Sequence, residues 1–170
     1  LEGSIDTEIA QPENVETANT LGPRSPETYF GALRNKNFGN GTPGETGVRT
    51  FTLPSEIQPN TLYLVGEWNI TPEYAENVSV DAKIVFYYQA EKVFLVARAD
   101  EHTEVTIRRD SNPLGDEAGS STETKNGEAT IQIQKDQLYR IIEDPEGSAP
   151  HLLEINIEAP GFQAFAFTFG

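Results

Sequence analysis

The residues of this chain that could do chemistry are carboxylates and aromatic rings rather than thiols or imidazoles. The sequence contains no Cys and only two His, His102 and His151, which lie far apart and outside any His-Glu-x-x-His motif. This excludes thiol and disulfide chemistry and leaves no basis for a zinc site or a nucleophile–base pair. The 27 acidic residues allow too many carboxylate pairs for spacing to identify a glycosidase. We therefore expect a non-catalytic domain without a cofactor.

One aromatic residue and its neighbours are the first candidates for ligand binding. Trp68 is the only tryptophan, and sugar-binding domains stack aromatic faces against the apolar side of pyranose rings. Its neighbour Glu67 would then hydrogen-bond sugar hydroxyls. The alternation of this segment puts Trp68 on the same side as Leu64 and Ile70, which favours a position in the core. Tyr74 falls in a loop, where an exposed ring would form a binding platform.

A long polar loop, from Asp110 to Asn126, carries the second group of candidates. Asp110, Asp116 and Glu117 are oxygen ligands of the kind that suits Ca²⁺. Their spacing matches no defined calcium loop, and ordinary turn chemistry by Asp and Gly is the favoured interpretation. We expect a ligand site where this loop meets residues 67–74, with these binding residues: Glu67, Trp68, Tyr74, Asp110 and Asp116.

The charge of the chain narrows the range of partners. With 27 Asp and Glu against 12 Lys and Arg, the net charge is −15 over 170 residues. Such a field repels nucleic acid phosphates and anionic membranes, so we expect neither as a partner. No run approaches the roughly 18 apolar residues of a membrane helix. Because the chain contains no Met, we expect it to be a fragment or a processed chain.

The first part of the chain predicts a tail followed by a short helical turn. Residues 1–24 are polar and acidic without a sustained period, which indicates either a tether from an upstream domain or a disordered terminus. Ser25 and Pro26 are typical of a helix start, with Ser25 as the cap. We therefore divide the chain into an acidic linker, 1–24, and one domain, 25–170.

The rest of the chain predicts an all-β domain of about nine short strands separated by turn signals. Two apolar runs, Ile84–Tyr88 and Val93–Ala97, flank a four-residue break that suits a hairpin loop. The closing segment, Phe162–Phe169, alternates so that three rings share one face, and we expect it to be central or well covered. The favoured architecture is a β-sandwich with no long helix.

Several segments together resemble one family, the C-terminal domain that follows the thioredoxin-like domain in DipZ-type thiol–disulfide proteins. The most specific are SPETYFG at 25–31 and FAFTFG at 165–170. Between them lie, in order, LVGEWNITPEYA at 64–75, VFLVARA at 93–99, RDSNPLGDEAG at 109–119, QLYRII at 137–142 and HLLEINI at 151–157. The sequence departs from the family pattern at residues 109–111, where an Asp-Gly turn is expected.

This resemblance implies a fold and a role. The fold is a jelly-roll sandwich of galactose-binding-like topology, similar to carbohydrate-binding modules. The role is an accessory module that binds carbohydrate or a glycan-bearing surface, in an extracytoplasmic setting and next to an upstream thioredoxin-like domain. A protein-interaction or dimerisation module that presents substrates to the redox domain is the alternative. An exposed pair of aromatics in a concave site would favour sugar, and a flat apolar patch would favour protein.

Overall fold

A computed structural model of the protein describes residues 24–170, so the acidic segment predicted at 1–24 lies outside the described residues except for Arg24. Within this range the chain forms thirteen strands, paired antiparallel, and no helix. In chain order they are β1 Thr28–Tyr29, β2 Gly47–Phe51, β3 Leu62–Ile70, β4 Ala75–Asn77, β5 Ala82–Gln89, β6 Lys92–Ala99, β7 Thr103–Arg109, β8 Asn112–Pro113, β9 Glu123–Lys125, β10 Glu128–Ile133, β11 Gln137–Glu143, β12 Pro150–Ile157 and β13 Phe162–Phe169.

The strands fold into two layers that share one strand. The first layer has the order β9-β10-β7-β12-β5-β3, and the second continues from β3 through β4, β13 and β6 to β11. Strand β3 belongs to both, because Leu62–Val65 pair with β5 whereas Gly66–Ile70 pair with β2. Successive long strands alternate between the layers from β5 to β7 and again from β10 to β13. This connectivity is that of a jelly-roll sandwich, which confirms the predicted fold class.

Gly66 forms the corner at which β3 passes from one layer to the other. Its φ of +99° is a conformation that side chains rarely adopt, and an added Cβ would lie 2.9 Å from Ser79 Oγ. We expect Gly66→Ala to lower the free energy of unfolding by about 2 kcal/mol through backbone strain and crowding. Gly127→Ala is the control, because Gly127 has a φ of +79° but open space around it. Equal losses for the two variants in urea denaturation would show that the corner is not crowded.

The predicted hairpin between β5 and β6 is wrong, although both strands exist. Strand β5 pairs with β3 and β12 in the first layer, whereas β6 pairs with β11 and β13 in the second. The connection, Ala90–Glu91, therefore crosses between the layers. The Gly170 carbonyl accepts hydrogen bonds from the Glu91 and Lys92 amides and fixes this crossing to the end of β13.

The core lies between the inward faces of the two layers. Phe86 of β5 contacts Phe167 and Phe169 of β13, with ring centroids 5.4 and 5.5 Å apart. Phe30 reaches the same cluster at 5.4 Å from Phe167. The closing strand is thus central, as the sequence predicts. Ring contacts of this kind add about 0.5–1.5 kcal/mol each beyond the area that they bury.

Two local predictions are wrong. Ser25 caps no helix, because its segment forms β1, and its Oγ instead donates to Asn60 Oδ1 at 2.6 Å and accepts from the Gln89 amide. Phe165 does not share a face with Phe167, because the register of β13 against β6 shifts by one residue between Ala164 and Ala166. This bulge turns Phe165 to the outer face of the second layer.

Candidate ligand-binding surface

The turn that follows β1 is fixed tightly to the loop that follows β3. The amides of Ala32 and Leu33 donate to the carbonyls of Thr71 and Pro72 at 2.9 and 3.0 Å. An added Cβ on Gly31 would overlap the backbone of Glu73. Only glycine allows so close an approach of two backbones. The two loops therefore form one rigid rim on the outer face of the second layer.

A ridge of four side chains projects from this rim. The Arg34 guanidinium lies over the ring of Tyr29, 3.9 Å from its centroid, in a cation–π contact. The Tyr29 hydroxyl donates to the Glu27 carboxylate, and this hydrogen bond raises the pKa of Tyr29, which keeps the hydroxyl protonated. Leu33 is 74% exposed beside them. We call this set the Tyr29 ridge: Glu27, Tyr29, Leu33 and Arg34.

A groove lies between the Tyr29 ridge and the second layer. Its volume is about 580 Å³, within the roughly 300–1,000 Å³ of ligand sites. The groove is lined by the ridge, by three residues of the sheet and by two residues of the rim: Val96, Phe165, Thr168, Pro72 and Glu73. Two half-buried aromatic rings, Tyr29 and Phe165, therefore share one concave site with carboxylates and a guanidinium. We call it the sheet-side groove.

A second depression adjoins the ridge on the side of the loops. It has a volume of about 720 Å³, and the ridge residues line it together with Pro26, Pro43, Asn35, Lys36 and Asn37. Its walls come from the segments before β1 and before β2, and two prolines restrict their backbone. We call it the loop-side cleft.

Tyr74, one of the predicted site residues, lies at the end of the sheet-side groove. Its ring packs on Phe165 at 5.2 Å, and the Arg98 guanidinium is 5.8 Å from the Tyr74 centroid and 5.7 Å from that of Phe165. Arg98 is held in turn by Gln163, which accepts a hydrogen bond from its Nε. Tyr74 is thus half-buried in a stack of aromatic and guanidinium groups rather than fully exposed.

Trp68 lies in the core and offers no ring face to a ligand. It is 0% exposed, and its indole N–H donates to the Val65 carbonyl at 2.9 Å. Glu67 is half-buried on the other side of β3, and its amide and carbonyl bond Ser79 Oγ and the Val78 amide. Of this predicted pair, Trp68 is therefore excluded from the ligand site and acts as a packing residue.

The structure does not bring Asp110 and Asp116 to residues 67–74. Strand β3 runs along β5 from Leu62 beside Phe86 to Val65 beside Lys83, so residues 67–74 follow beyond the Lys83 end. Asp110 instead bonds Leu152, which pairs with Tyr87 at the opposite end of β5. Asp116 is exposed in the loop after β8. The expected single site is therefore two separate regions of the sandwich.

Asp110 has a structural role in its own region. Asp110 and Ser111 both have positive φ, 53° and 67°, which makes the β7–β8 connection a type I′ turn despite the missing glycine. The Asp110 carboxylate accepts hydrogen bonds from the Leu152 amide at 2.9 Å and lies 2.6 Å from His151 Nδ1. Desolvation opposes its ionisation, but these bonds outweigh it and lower the pKa of Asp110. The side chain thus fastens the turn to β12.

Next to it, Arg109 at the end of β7 connects strand β5 with the loops that follow β8 and β11. Its NH1 donates to Asp144 Oδ2 at 2.6 Å and to the Tyr88 hydroxyl at 3.3 Å, and its Nε lies 3.6 Å from Glu117 Oε2. The side chains of Arg109 and Asp144 are 14% and 4% exposed. We call this set the Arg109 network: Tyr88, Arg109, Glu117 and Asp144.

Burial and hydrogen bonding set the protonation states of the Arg109 network. Burial raises the pKa of Tyr88 to about 12. Desolvation works against the charges of Arg109 and Asp144, but the hydrogen bonds between them outweigh it. They raise the pKa of Arg109 and lower that of Asp144. Each of the four side chains has a hydrogen-bond or ion-pair partner within the network. This is expected of a structural ion-pair network rather than of a reactive centre.

Residues 24–170 contain neither a metal-ligand cluster nor a membrane-spanning helix. No three His, Asp or Glu side chains come together in a way that could hold a metal ion. In the same range, no helix is long and apolar enough to cross a membrane.

Comparisons with known proteins identify the family of this domain. The family described as "Thioredoxin like C-terminal domain" matches residues 25–170. The chain is 28% identical over 165 residues to Protein DipZ of Mycobacterium bovis and, equally, of Mycobacterium tuberculosis. The alignment covers 95% of this chain but 21% of either relative, so the chain spans about a fifth of their length.

Among solved structures, the chain is similar to a family two carbohydrate esterase from Cellvibrio japonicus, with a TM-score of 0.45 and 9% identity. That match covers 85% of this chain and 33% of the other. The connectivity of its strands makes the protein a jelly-roll β-sandwich domain. It belongs to the thioredoxin-like C-terminal domain family, as the sequence motifs predict.

The family motif SPETYFG contributes to the surface that the site prediction missed. Glu27 and Tyr29 come from this motif, and Leu33 and Arg34 follow it. The signal in the sequence was the alternation of this segment, in which Glu27 and Tyr29 face outward between the buried Thr28 and Phe30. Interpretation of Ser25-Pro26 as a helix start concealed it, because a helical turn would have buried Tyr29 and Leu33.

Proposed function

We propose that this domain is a non-catalytic accessory module that binds carbohydrate or a glycan-bearing surface through the sheet-side groove. The observation that supports this is the pairing of two half-buried rings, Tyr29 and Phe165, with the polar groups of Glu27, Arg34 and Glu73 in one groove. Pyranose recognition needs this combination, since an apolar ring face is flanked by hydroxyls that both donate and accept.

In the whole protein, the module would follow a thioredoxin-like domain in an extracytoplasmic setting. Its family membership and its likeness to Protein DipZ support this context. The chain itself has no Cys, so thiol chemistry would belong to the neighbouring domain. Binding of a surface glycan would then hold the redox domain close to its substrates and raise their effective concentration.

A glycan-array screen followed by affinity electrophoresis tests this function. We expect Tyr29→Ala to weaken retention by at least about tenfold, because it removes a ring face worth about 1.4 kcal/mol of binding. Its melting temperature should stay close to that of the parent, since Tyr29 is only half-buried. Tyr87→Ala is the matched control, because Tyr87 is also half-buried but lies in β5 of the first layer.

Two outcomes would contradict the groove assignment. If glycans bind and Tyr29→Ala retains them like the parent, the site lies elsewhere. The outer face of β10, which carries Gln132, is then the next candidate. If Asp116→Ala abolishes retention instead, the loop after β8 holds the ligand. Absence of any glycan on the array would reject carbohydrate binding as a whole.

Protein interaction is the second candidate, and the outer face of the second layer favours it. Arg140 lies over Phe94 at 5.7 Å, Phe94 and Arg98 share the outer face of β6, and Leu138 and Leu33 are exposed. Arginine and aromatic residues are enriched at the centres of protein interfaces. Loss of a partner on Phe94→Ala, with glycan retention unchanged, would favour this function.

A further inference from the structure

We propose that the saccharide bound by this domain is acidic, and that the loop-side cleft holds its carboxylate through Asn35, Arg34 and Lys36. This inference rests on the proposed carbohydrate function and names the class of ligand. Within residues 24–170, the cleft has a buried amide donor without a partner, two cations without acidic partners and several hydrogen-bond acceptors around them.

Asn35 supplies the first argument. It is 2% exposed and lines the cleft, yet its Nδ2 donates to no acceptor in the described part of the chain. The Gly44 amide donates to Asn35 Oδ1 at 2.9 Å. This contact fixes the orientation of the amide, since a flip would place two donors against each other. A buried amide left unpaired costs about 1–3 kcal/mol, which an acceptor on a ligand would relieve.

The second argument comes from Arg34 and Lys36, the two cations that flank Asn35 in the sequence. Among the ion pairs of residues 24–170, none involves Arg34 or Lys36. Arg34 contacts the ring of Tyr29 instead. In a chain with a net charge of −15, a concave site whose two cations and buried amide donor have no acidic partner among residues 24–170 is a local exception. These groups complement a carboxylate, because a charged acceptor strengthens the hydrogen bonds that they donate.

The remaining lining groups favour a saccharide over a simple anion. Glu27 accepts a hydrogen bond from Tyr29 and retains further lone pairs, and Asn37 adds an amide. A bare anion has no hydrogens to offer to these acceptors, whereas a uronic acid has hydroxyls as well as a carboxylate. The apolar walls, Pro26 and Pro43, would pack against the sugar ring.

Calorimetric titration of the full 170-residue chain with an oligogalacturonate tests this inference. The matched probe is the same oligosaccharide with its carboxylates methyl-esterified. We expect the acid to bind at least about tenfold more tightly than the ester, and the preference to shrink as salt screens the charges. Equal affinity for acid and ester would overturn the acidic assignment and leave carbohydrate binding intact.

Substitutions of residues that line the loop-side cleft test whether the carboxylate of the ligand binds there. Lys36→Gln should weaken binding of the acid by about fivefold and leave the ester unaffected, since Lys36 is exposed and acts through its charge. Lys135→Gln, an equal charge change in an exposed turn, should have no effect. Asn35→Asp keeps the acceptor for Gly44 but replaces the donor by a like charge, and should abolish the preference for acid. If Asn35→Asp does not fold, Arg34→Gln with Lys36→Gln makes the same test at exposed positions.

Three further outcomes separate this inference from the function on which it rests. Binding of hexaglutamate as tightly as oligogalacturonate would overturn the saccharide assignment, because it would show recognition of carboxylates alone. Failure of both oligosaccharides on a chain that retains neutral glycans would overturn the inference only. Failure of every glycan would reject the proposed function as well.

Discussion

Replacing Phe167 by alanine is expected to lower the free energy of unfolding by about 3–5 kcal/mol, through lost transfer free energy and the cavity that remains. Phe167 is completely buried, and its ring contacts Phe30, Phe86 and Phe169 at 5.4–6.0 Å. These rings come from β5, from β13 and from the segment after β1, so the substitution weakens both layers and the rim at once. Urea denaturation monitored by tryptophan fluorescence measures the effect.

Phe94→Ala is the matched control for this prediction. Phe94 lies in β6, directly opposite Thr168 of β13, but on the outer face. Its half-buried ring contacts Arg140 rather than the core. The control should cost much less than Phe167→Ala. A loss below about 1 kcal/mol for Phe167→Ala would mean that the closing strand does not fill the space between the layers.

The positions of the strands could be predicted because alternation is a local signal. The strands β7 and β12 each have apolar residues at every second position for most of their length, and those residues are buried. Burial of one face is what fixes this pattern in a sequence. The break in the pattern at Phe165 could not be predicted, because a bulge depends on the register against β6.

The partners of the strands could not be read in the same way. The two-residue connection Ala90–Glu91 is short enough for a hairpin, and its sequence does not distinguish a hairpin from a crossing between layers. The choice is made by the distant strands β12 and β13, which pair with β5 and β6. Proximity in the sequence therefore predicted the wrong pairing partners for β5 and β6.

The same long-range dependence explains why the candidate site was only partly predicted. Tyr74 lies in the loop after β3, as Thr71 and Pro72 predict, but its ring is half-buried rather than exposed. The prediction that Tyr74 and Asp110 form one site is wrong. The loop with Tyr74 follows the end of β3 that lies beside Lys83, whereas Asp110 lies near the opposite end of β5. The groups that now form the candidate site, Tyr29 and Arg34, meet through a turn that no periodicity describes.

Replacing Arg109 by methionine is expected to have the second large effect, a loss of about 3–5 kcal/mol at neutral pH. The substitution keeps a long apolar side chain but leaves the carboxylates of Asp144 and Glu117 without their cation. Asp144 is 4% exposed, and removal of one partner from a buried pair is costly because the other charge remains desolvated. The Tyr88 hydroxyl loses its donor as well.

Arg108→Met is the matched control, because Arg108 is adjacent in sequence but pairs with Glu128 on the outer face, where both side chains are about one-third exposed. Solvent screens such a pair, so its removal should change stability little. Comparable losses for the two variants would show that Arg109 acts through packing of its aliphatic part rather than through its charge.

The pH dependence of the Arg109→Met effect follows from the pKa of Asp144. In the parent, this pKa lies below the ordinary value of about 3.9. The ion pair therefore contributes its full stability above that value and loses it as the pH falls through the lowered pKa. Arg109→Met removes the cation that lowers the pKa of Asp144, whereas burial, which raises it, remains. Asp144 therefore becomes protonated at a higher pH than in the parent, and this relieves the buried charge. The difference in stability between parent and variant should be largest near pH 7 and shrink as the pH falls below about 4. A difference that is the same at neutral and acidic pH, measured by thermal unfolding, would refute an electrostatic role for the Arg109 network.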